Sequence, residues 1–182
     1  MHRISMRGFG AAGLAIALAC GSASAATVGK PAADYTITTF DNKDITSAQL
    51  RGKVVVLNYW ATWCGPCRGE LLAFYKYVKA HPNPDLKVIE VSTQPDLPRS
   101  VYRDLASAVP FPFARRIWGG GFGVIGNALP TNYIIDRTGV VRYAQSGAFD
   151  EDSLDAVVAP LLAEPTPSAA TVAAAAAAPA KP

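Results

Sequence analysis

The stretch that decides the fold is Val54–Cys67, which reads VVVLNYWATWCGPC. Its first seven residues form a nearly continuous apolar run, which is typical of a strand buried on both faces of a sheet. A helix-like segment follows, so Cys64 stands where a strand gives way to a helix. The positive end of a helix dipole stabilises a thiolate and lowers the thiol pKa below its free value of about 8.5. Two thiols three positions apart can also close a disulfide with each other, so the motif indicates dithiol/disulfide exchange.

The first twenty-five residues have the pattern of an export signal. Arg3 and Arg7 form a basic end, Gly8–Ala19 is short and apolar, and Ala23–Ala25 fits a small-residue cleavage site. About twelve apolar residues are too few to span a bilayer, which needs roughly 20. We therefore predict a periplasmic or otherwise extracytoplasmic protein. An uncleaved membrane anchor and lipid attachment at Cys20 are the alternatives.

Charge and cysteine content exclude several classes of function. The net charge of +3 falls to +1 once the two arginines of the leader are removed, so nothing indicates nucleic acid as a partner. After cleavage the chain keeps only Cys64 and Cys67, which leaves no second pair for a disulfide framework or a four-thiolate zinc site. His81 stands beside Pro82, as a surface residue at a helix end would. We predict no metal site.

Turn residues divide the chain into alternating strands and helices. The predicted strands are Tyr35–Phe40, Lys53–Trp60, Leu86–Ser92, Thr131–Ile135 and Val140–Gln145, and the predicted helices are Pro66–Ala80, Leu97–Val109 and Asp150–Leu162, with one helical turn at Ser47–Leu50. This order predicts an α/β domain whose central mixed sheet is parallel in its first half and antiparallel in its second. The domain spans residues 26–163. An Ala/Pro-rich tail, residues 164–182, is predicted to be disordered, because its run of six alanines is too short for a stable isolated helix.

The chain resembles the thioredoxin superfamily, and within it the exported thiol–disulfide interchange proteins of the TlpA/ResA type. The matching stretches are Gly29–Ala32, Arg51–Arg68 and Leu129–Asp136, and the resemblance covers about residues 28 to 162. It implies a thioredoxin-like fold with helices on both faces of the sheet. It also implies an exposed nucleophile at Cys64 and a buried resolving thiol at Cys67. Their redox-active disulfide would do the chemistry with no other cofactor.

The resemblance assigns three further positions near the thiols. Pro130 matches a proline that the family holds in cis beside the active site, which would leave the backbone of Leu129 free to pair with a substrate strand. An ordinary trans proline at a strand start is the alternative. Glu70 matches the family's glutamate three residues after the second cysteine, which would take the proton of Cys67. The alternative is a solvated glutamate in the first turn of a helix.

The residues around Cys64 are predicted to dock the substrate. Trp63 would form an apolar surface beside the nucleophile, and Trp60 would lie in the core. Gly65-Pro66 is the dipeptide of reducing thioredoxins, and Pro66 suits an early helix position, where its missing N–H costs nothing. Leu129 is apolar, as in thioredoxin. Trp118, Phe111 and Phe113 are interpreted as core or loop packing.

These features predict a thiol–disulfide oxidoreductase that reduces disulfides of partner proteins. Its electrons would arrive from a membrane thiol transporter, and apocytochrome c heme-site thiols are partners that the resemblance suggests. The protein would be a monomer. A copper-handling CxxC module and a disulfide oxidant are the alternatives. Residues 61–63 lack the threonine and proline spacing of a peroxide reductase. The glycines at 121–126 lack the strand and helix of a dinucleotide site.

Overall fold

The computed structural model describes residues 25–168 and 170–171. Nearly all of the predicted leader and residues 172–182 of the predicted tail lie outside this range. The strands are β1 (Tyr35–Thr39), β2 (Asp44–Thr46), β3 (Val54–Trp60), β4 (Leu86–Ser92), β5 (Phe113–Gly119), β6 (Thr131–Ile135) and β7 (Val141–Ser146); the α-helices are α1 (Gly65–Ala80), α2 (Arg99–Ala108) and α3 (Glu151–Ala163). Two 3₁₀ helices lie at Ala48–Leu50 and Ile125–Asn127. No helix in the described ranges is both long and apolar enough to cross a membrane.

The seven strands form one mixed sheet in the order β2-β1-β5-β4-β3-β6-β7. β3 and β4 are parallel, as are β4 and β5, because α1 and α2 carry the chain back across the sheet. β6 and β7 form an antiparallel hairpin beside β3, joined by a tight turn at residues 136–140. The predicted parallel crossovers and the predicted antiparallel hairpin are confirmed, but β1 pairs antiparallel with both β2 and β5, so the first half of the sheet is not wholly parallel.

The apolar run in β3 supplies both faces of the core, since successive strand side chains point to opposite faces. Val54 and Val56 pack against α1 and α3, whereas Val55, Leu57 and Tyr59 face the other way. The α2 helix packs on the α1 side, where Tyr102 joins a cluster containing both cysteines. Two successive right-handed crossovers that move in one direction across a sheet place their helices on the same face. Helical segments do lie on both faces, as predicted, but within residues 25–168 the face opposite the α-helices carries the two 3₁₀ helices and loops and no α-helix.

Each α-helix begins and ends at residues that the sequence marks. Cys64 caps the N-terminus of α1, and exposed His81 ends that helix just before Pro82. Asp150 caps α3 as predicted, and its carboxylate accepts a hydrogen bond from the Ser153 N–H at 2.8 Å. The Cys64 cap marks the start of α1 shortly after the end of β3, and the two cysteines lie there.

Two strands and one tryptophan differ from the prediction. β2 and β5 both lie in segments for which the sequence predicted no strand or helix. Phe113, in β5, is buried, but Trp118 is 60% exposed, with the Arg116 guanidinium 5.4 Å from its ring centroid. Trp118 thus lies on a strand and faces solvent, so its interpretation as core or loop packing was wrong. Beyond Ala114, β5 pairs with β1 and no longer with β4, so its outer residues lie toward solvent.

Candidate active site

The two cysteines lie in the first turn of α1, directly after β3. Cys64 and Cys67 are joined by a disulfide, with their Cα atoms 5.4 Å apart. The N–H of Cys67 donates a hydrogen bond to the sulfur of Cys64, 3.2 Å away. The first turn of a helix offers unpaired N–H donors and the positive end of the dipole. Both would stabilise a thiolate at Cys64 once the disulfide opens.

The sulfur of Cys64 is less accessible than the sequence predicted. Cys64 is only 3% exposed and Cys67 only 4%, so the expected contrast between an exposed and a buried thiol is absent in the disulfide form. Trp60 and Leu129 belong to the same packed cluster as both cysteines. Their packing, which sequence patterns do not report, covers Cys64.

The surface beside the disulfide carries the predicted docking residues. The side chain of Trp63 is 68% exposed, the largest exposed fraction among the large apolar residues of residues 25–168 that face solvent. Gly65 and Pro66 are also exposed at the start of α1. Trp60 is buried, as predicted. The exposed ring of Trp63 gives a partner protein an apolar contact surface next to the buried disulfide.

Leu129 and Pro130 lie on the other side of the cysteines, just before β6. The Leu129–Pro130 peptide bond is cis, as the resemblance implied. Leu129 packs against the cluster that contains the disulfide. Its N–H and C=O form no hydrogen bond within the described residues, whereas the next carbonyl, of Pro130, accepts one from the Gly147 N–H at 2.9 Å. The backbone of Leu129 is thus available to a partner strand.

Glu70 lies one turn after Cys67, on the buried face of α1. It is 1% exposed, so the alternative of a solvated glutamate is wrong. Its carboxylate accepts three hydrogen bonds, from Asn58 Nδ2 and Asn132 Nδ2 at 2.6 Å each and from the Phe149 N–H at 2.8 Å. Burial raises the pKa of Glu70 to about 7, and the three donors oppose that rise. A group with this pKa changes charge near neutral pH, as a proton acceptor for Cys67 would.

Sequence reasoning missed two residues of this buried polar group. Asn132 is fully buried in β6; it holds Glu70 and also donates to the Gly147 carbonyl at 3.0 Å. Glu90 is 1% exposed in β4, directly beside Asn58 in the parallel register. Burial, with the charge of Glu70 as a smaller cause, raises the pKa of Glu90 well above its usual range. A glutamate inside the apolar run VIEV was the signal that could have identified it.

The described residues contain no cluster of three or more histidine, cysteine, aspartate or glutamate side chains that could hold a metal ion. The group that can change oxidation state at this site is the cysteine pair itself. A strand, a helix start and the loop before β6 bring that pair together with an exposed tryptophan and an unpaired backbone segment.

Comparison with known proteins identifies the family. The AhpC/TSA family matches residues 28–144, which is most of the described domain. The chain belongs to the AhpC/TSA family. Among its relatives, the thioredoxin-like protein YneN of Bacillus subtilis is 30% identical over 130 residues, which cover 70% of this chain and 76% of YneN. The thiol-disulfide oxidoreductase ResA of Bacillus thuringiensis is 27% identical over 133 residues, 70% of this chain and 75% of ResA.

A solved structure is similar to this protein in fold. The crystal structure of a thioredoxin-family thiol:disulfide interchange protein from Chlorobium tepidum has a TM-score of 0.59, at 24% identity. The match covers 72% of this chain and 95% of that one. The fold is therefore thioredoxin-like, and the protein is a thiol–disulfide oxidoreductase of the ResA type with a Cys64–Cys67 pair. The roles of the individual site residues remain predictions.

Proposed function

We propose that this protein reduces disulfide bonds of partner proteins outside the cytoplasm, with Cys64 and Cys67 cycling between dithiol and disulfide. The observation that carries the proposal is the disulfide at the start of α1, flanked by exposed Trp63 and by the unpaired backbone of Leu129. The pattern of the first twenty-five residues supports export. In that compartment disulfides form and persist.

The reduction takes two exchanges. The Cys64 thiolate attacks a partner disulfide and forms a mixed disulfide, while the released partner thiolate takes up a proton. Cys67 then loses its proton and attacks the Cys64 sulfur, which closes the Cys64–Cys67 bond and releases the second partner thiolate. The helix dipole and the Cys67 N–H stabilise the Cys64 thiolate before the first step. The predicted proton acceptor for Cys67 is Glu70.

Partner proteins would bind across the disulfide. An extended partner segment would pair with the free N–H and C=O of Leu129 as an added strand, while its apolar side chains contact Trp63. Main-chain pairing is indifferent to partner sequence, so one site of this kind suits several substrates. Exposed Gly65 and Pro66 would add to the contact surface at the start of α1.

A reducing direction follows from the Gly65-Pro66 dipeptide, which reducing thioredoxins share. Electrons would reach the oxidised pair from a membrane thiol-transporting donor, since the proposed compartment has no thiol buffer of its own. The thiols at heme attachment sites of apocytochrome c are the partners that the resemblance to TlpA/ResA proteins suggests. The protein would act as a monomer.

The proposal is tested by insulin reduction with dithiothreitol as electron source. Cys64→Ser is expected to abolish catalysis, because it removes the nucleophile. Cys67→Ser is expected to accumulate mixed disulfides with partners, because nothing resolves them. Ser107→Ala, which changes an exposed side chain of α2 outside the pair, is the control and should retain full activity. Catalysis that persists in Cys64→Ser would refute the proposal.

A further inference from the structure

A cavity of about 280 Å³ lies between β3, β4, α1 and α2, directly behind the disulfide. Its wall includes Cys67 and Glu90, and its rim includes Thr62 and Arg68, which are exposed. Apolar side chains of α1 and α2 complete it, namely Leu71, Val101 and Leu105. A water molecule takes up about 30 Å³ of liquid, so the cavity has room for several waters.

Two buried polar atoms beside this cavity have no hydrogen-bond partner within the described residues. They are Oε1 of Glu90 and the indole Nε1 of Trp60, and both side chains line the cavity. Buried polar atoms are nearly always paired, with protein or with ordered water. A buried acceptor and a buried donor without partners, on residues that line one cavity, mark a place where an ordered water would bind.

Glu70 does not line this cavity. Its carboxylate is turned toward Asn58, Asn132 and Phe149, whose N–H groups occupy both of its oxygens. Glu90 therefore has what Glu70 lacks, which is a carboxyl oxygen without a partner in the described residues, on a residue that lines the same cavity as Cys67. The charge of Glu70 raises the pKa of Glu90, and Asn58 donates a hydrogen bond to Glu70 while it lies opposite Glu90 in the β3–β4 register.

We propose that Glu90 exchanges a proton with Cys67 through this cavity, as a second proton-transfer group beside Glu70. The proposal rests on the exchange chemistry described above. When a donor thiolate attacks the Cys64 sulfur, the Cys64–Cys67 bond breaks and its electron pair stays on the Cys67 sulfur. Glu90 gives its proton to that sulfur, directly or through one water. In the reverse step Cys67 returns the proton to the Glu90 carboxylate as it attacks the mixed disulfide.

The charges around Glu90 fit this role. Burial raises the pKa of Glu90 well above its usual range, which favours the form that can donate a proton when the disulfide opens. The ionisable groups near Glu90 come from α1 and are Cys67, Arg68 and Glu70. The α2 residues that line the cavity are apolar. Within residues 25–168, the neighbouring strands contribute no ionisable side chain there: Asn58 of β3 and Phe113 of β5 lie opposite Glu90 in the sheet, and Trp60 of β3 lines the cavity.

The test is the rate at which dithiothreitol opens the disulfide, followed by tryptophan fluorescence in stopped flow between pH 4.5 and 9. Glu90→Gln keeps the shape of the side chain but cannot release a proton. It is expected to slow opening at least about 10-fold, which is less than the roughly 100-fold effect of a sole general acid because Glu70 remains as a second proton-transfer group. It should also remove one inflection from the pH profile, and Glu70→Gln should leave that inflection in place. A Glu90→Gln profile that superimposes on wild type would overturn the proposal.

A second variant separates proton transfer from packing. Glu90→Ala enlarges the cavity, and added formate should restore its opening rate by at least several-fold, since a small acid can occupy the space of the lost carboxyl. Chloride at the same concentration is the control and should restore nothing. A slow Glu90→Ala variant that formate does not accelerate would refute the role. A wild-type protein that does not reduce insulin would refute the proposed function instead, so the two failures are distinguishable.

Discussion

The stability of the folded protein should fall as the pH rises, because of Glu70. Burial raises the pKa of this carboxyl from 4.5 to about 7. A carboxyl with a higher pKa in the folded state lowers stability over the pH range in which it has ionised in the unfolded chain but still holds its proton in the folded protein. The loss therefore begins near pH 4.5 and is complete above pH 7. Since one pKa unit corresponds to about 1.36 kcal/mol, the full loss is about 3 kcal/mol.

Glu70→Gln isolates this effect, because glutamine has no charge at any pH. Its amide meets the N–H donors of Asn58, Asn132 and Phe149 less well than a carboxylate does. That penalty does not change with pH, so it cancels when the same variant is compared at two pH values. We expect the free energy of unfolding of Glu70→Gln, minus that of wild type, to increase by about 3 kcal/mol between pH 4 and pH 8.

The assay is guanidinium unfolding of both oxidised proteins at several pH values, followed by circular dichroism. Asp104→Asn is the matched control: it removes an exposed carboxylate on α2 and should shift the same difference by less than about 0.5 kcal/mol. Stability curves of Glu70→Gln and wild type that stay parallel from pH 4 to pH 8 would refute the reasoning about Glu70.

Three further variants test docking and packing. Trp63→Ala should raise the KM for protein substrates about 10-fold, a loss typical of an exposed aromatic anchor, and leave reduction by dithiothreitol unchanged. Trp118→Ala changes a tryptophan that is also largely exposed, and should alter neither the KM nor reduction by dithiothreitol. Equal effects of the two variants would contradict the docking role of Trp63. Arg137→Met should lower the free energy of unfolding by about 2–3 kcal/mol, because the buried guanidinium donates to three carbonyls at the end of α3. The same change at half-exposed Arg142 is the control, and equal losses in urea unfolding would refute the claim. Phe74→Ala should cost about 3–5 kcal/mol in that assay and Phe74→Leu clearly less, since Phe74 is fully buried between α1 and the sheet.

The elements predicted well from sequence are those whose buried face repeats over a full element. β4 was predicted at its observed bounds, Leu86–Ser92, because apolar residues fill it and a proline cluster precedes it. α1 was predicted to within one residue, since Pro66 and the His81-Pro82 pair mark its ends. In both cases local residues carry the information.

The elements that were missed depend on distant partners. β5 contains Arg115 and Arg116, which interrupt any apolar pattern, and it is a strand because β1 and β4 supply hydrogen-bond partners from elsewhere in the chain. Cys64 is likewise buried in a cluster that includes Tyr102 and Phe113, which are distant in sequence. Local patterns report neither, because both arise from tertiary packing.

The site was predictable where a motif fixes its residues. The cysteine pair follows from local order, and the glutamate one turn later follows from the resemblance. The buried polar group around Glu70 was not predictable. Its members Asn58, Asn132 and Glu90 come from three strands that meet only in the sheet. A charged residue within an apolar strand is the one sequence signal of such a group.

The reduction potential of the Cys64–Cys67 couple tests the central claim most directly. It is obtained by equilibrating the protein in dithiothreitol redox buffers and measuring the fraction of closed disulfide by thiol labelling and mass spectrometry. A reversible two-electron couple near −270 mV, the thioredoxin value, is the result that a reductant requires. A value near −120 mV would make the protein an oxidant, and the absence of any reversible bridge between the two sulfurs would contradict the account as a whole.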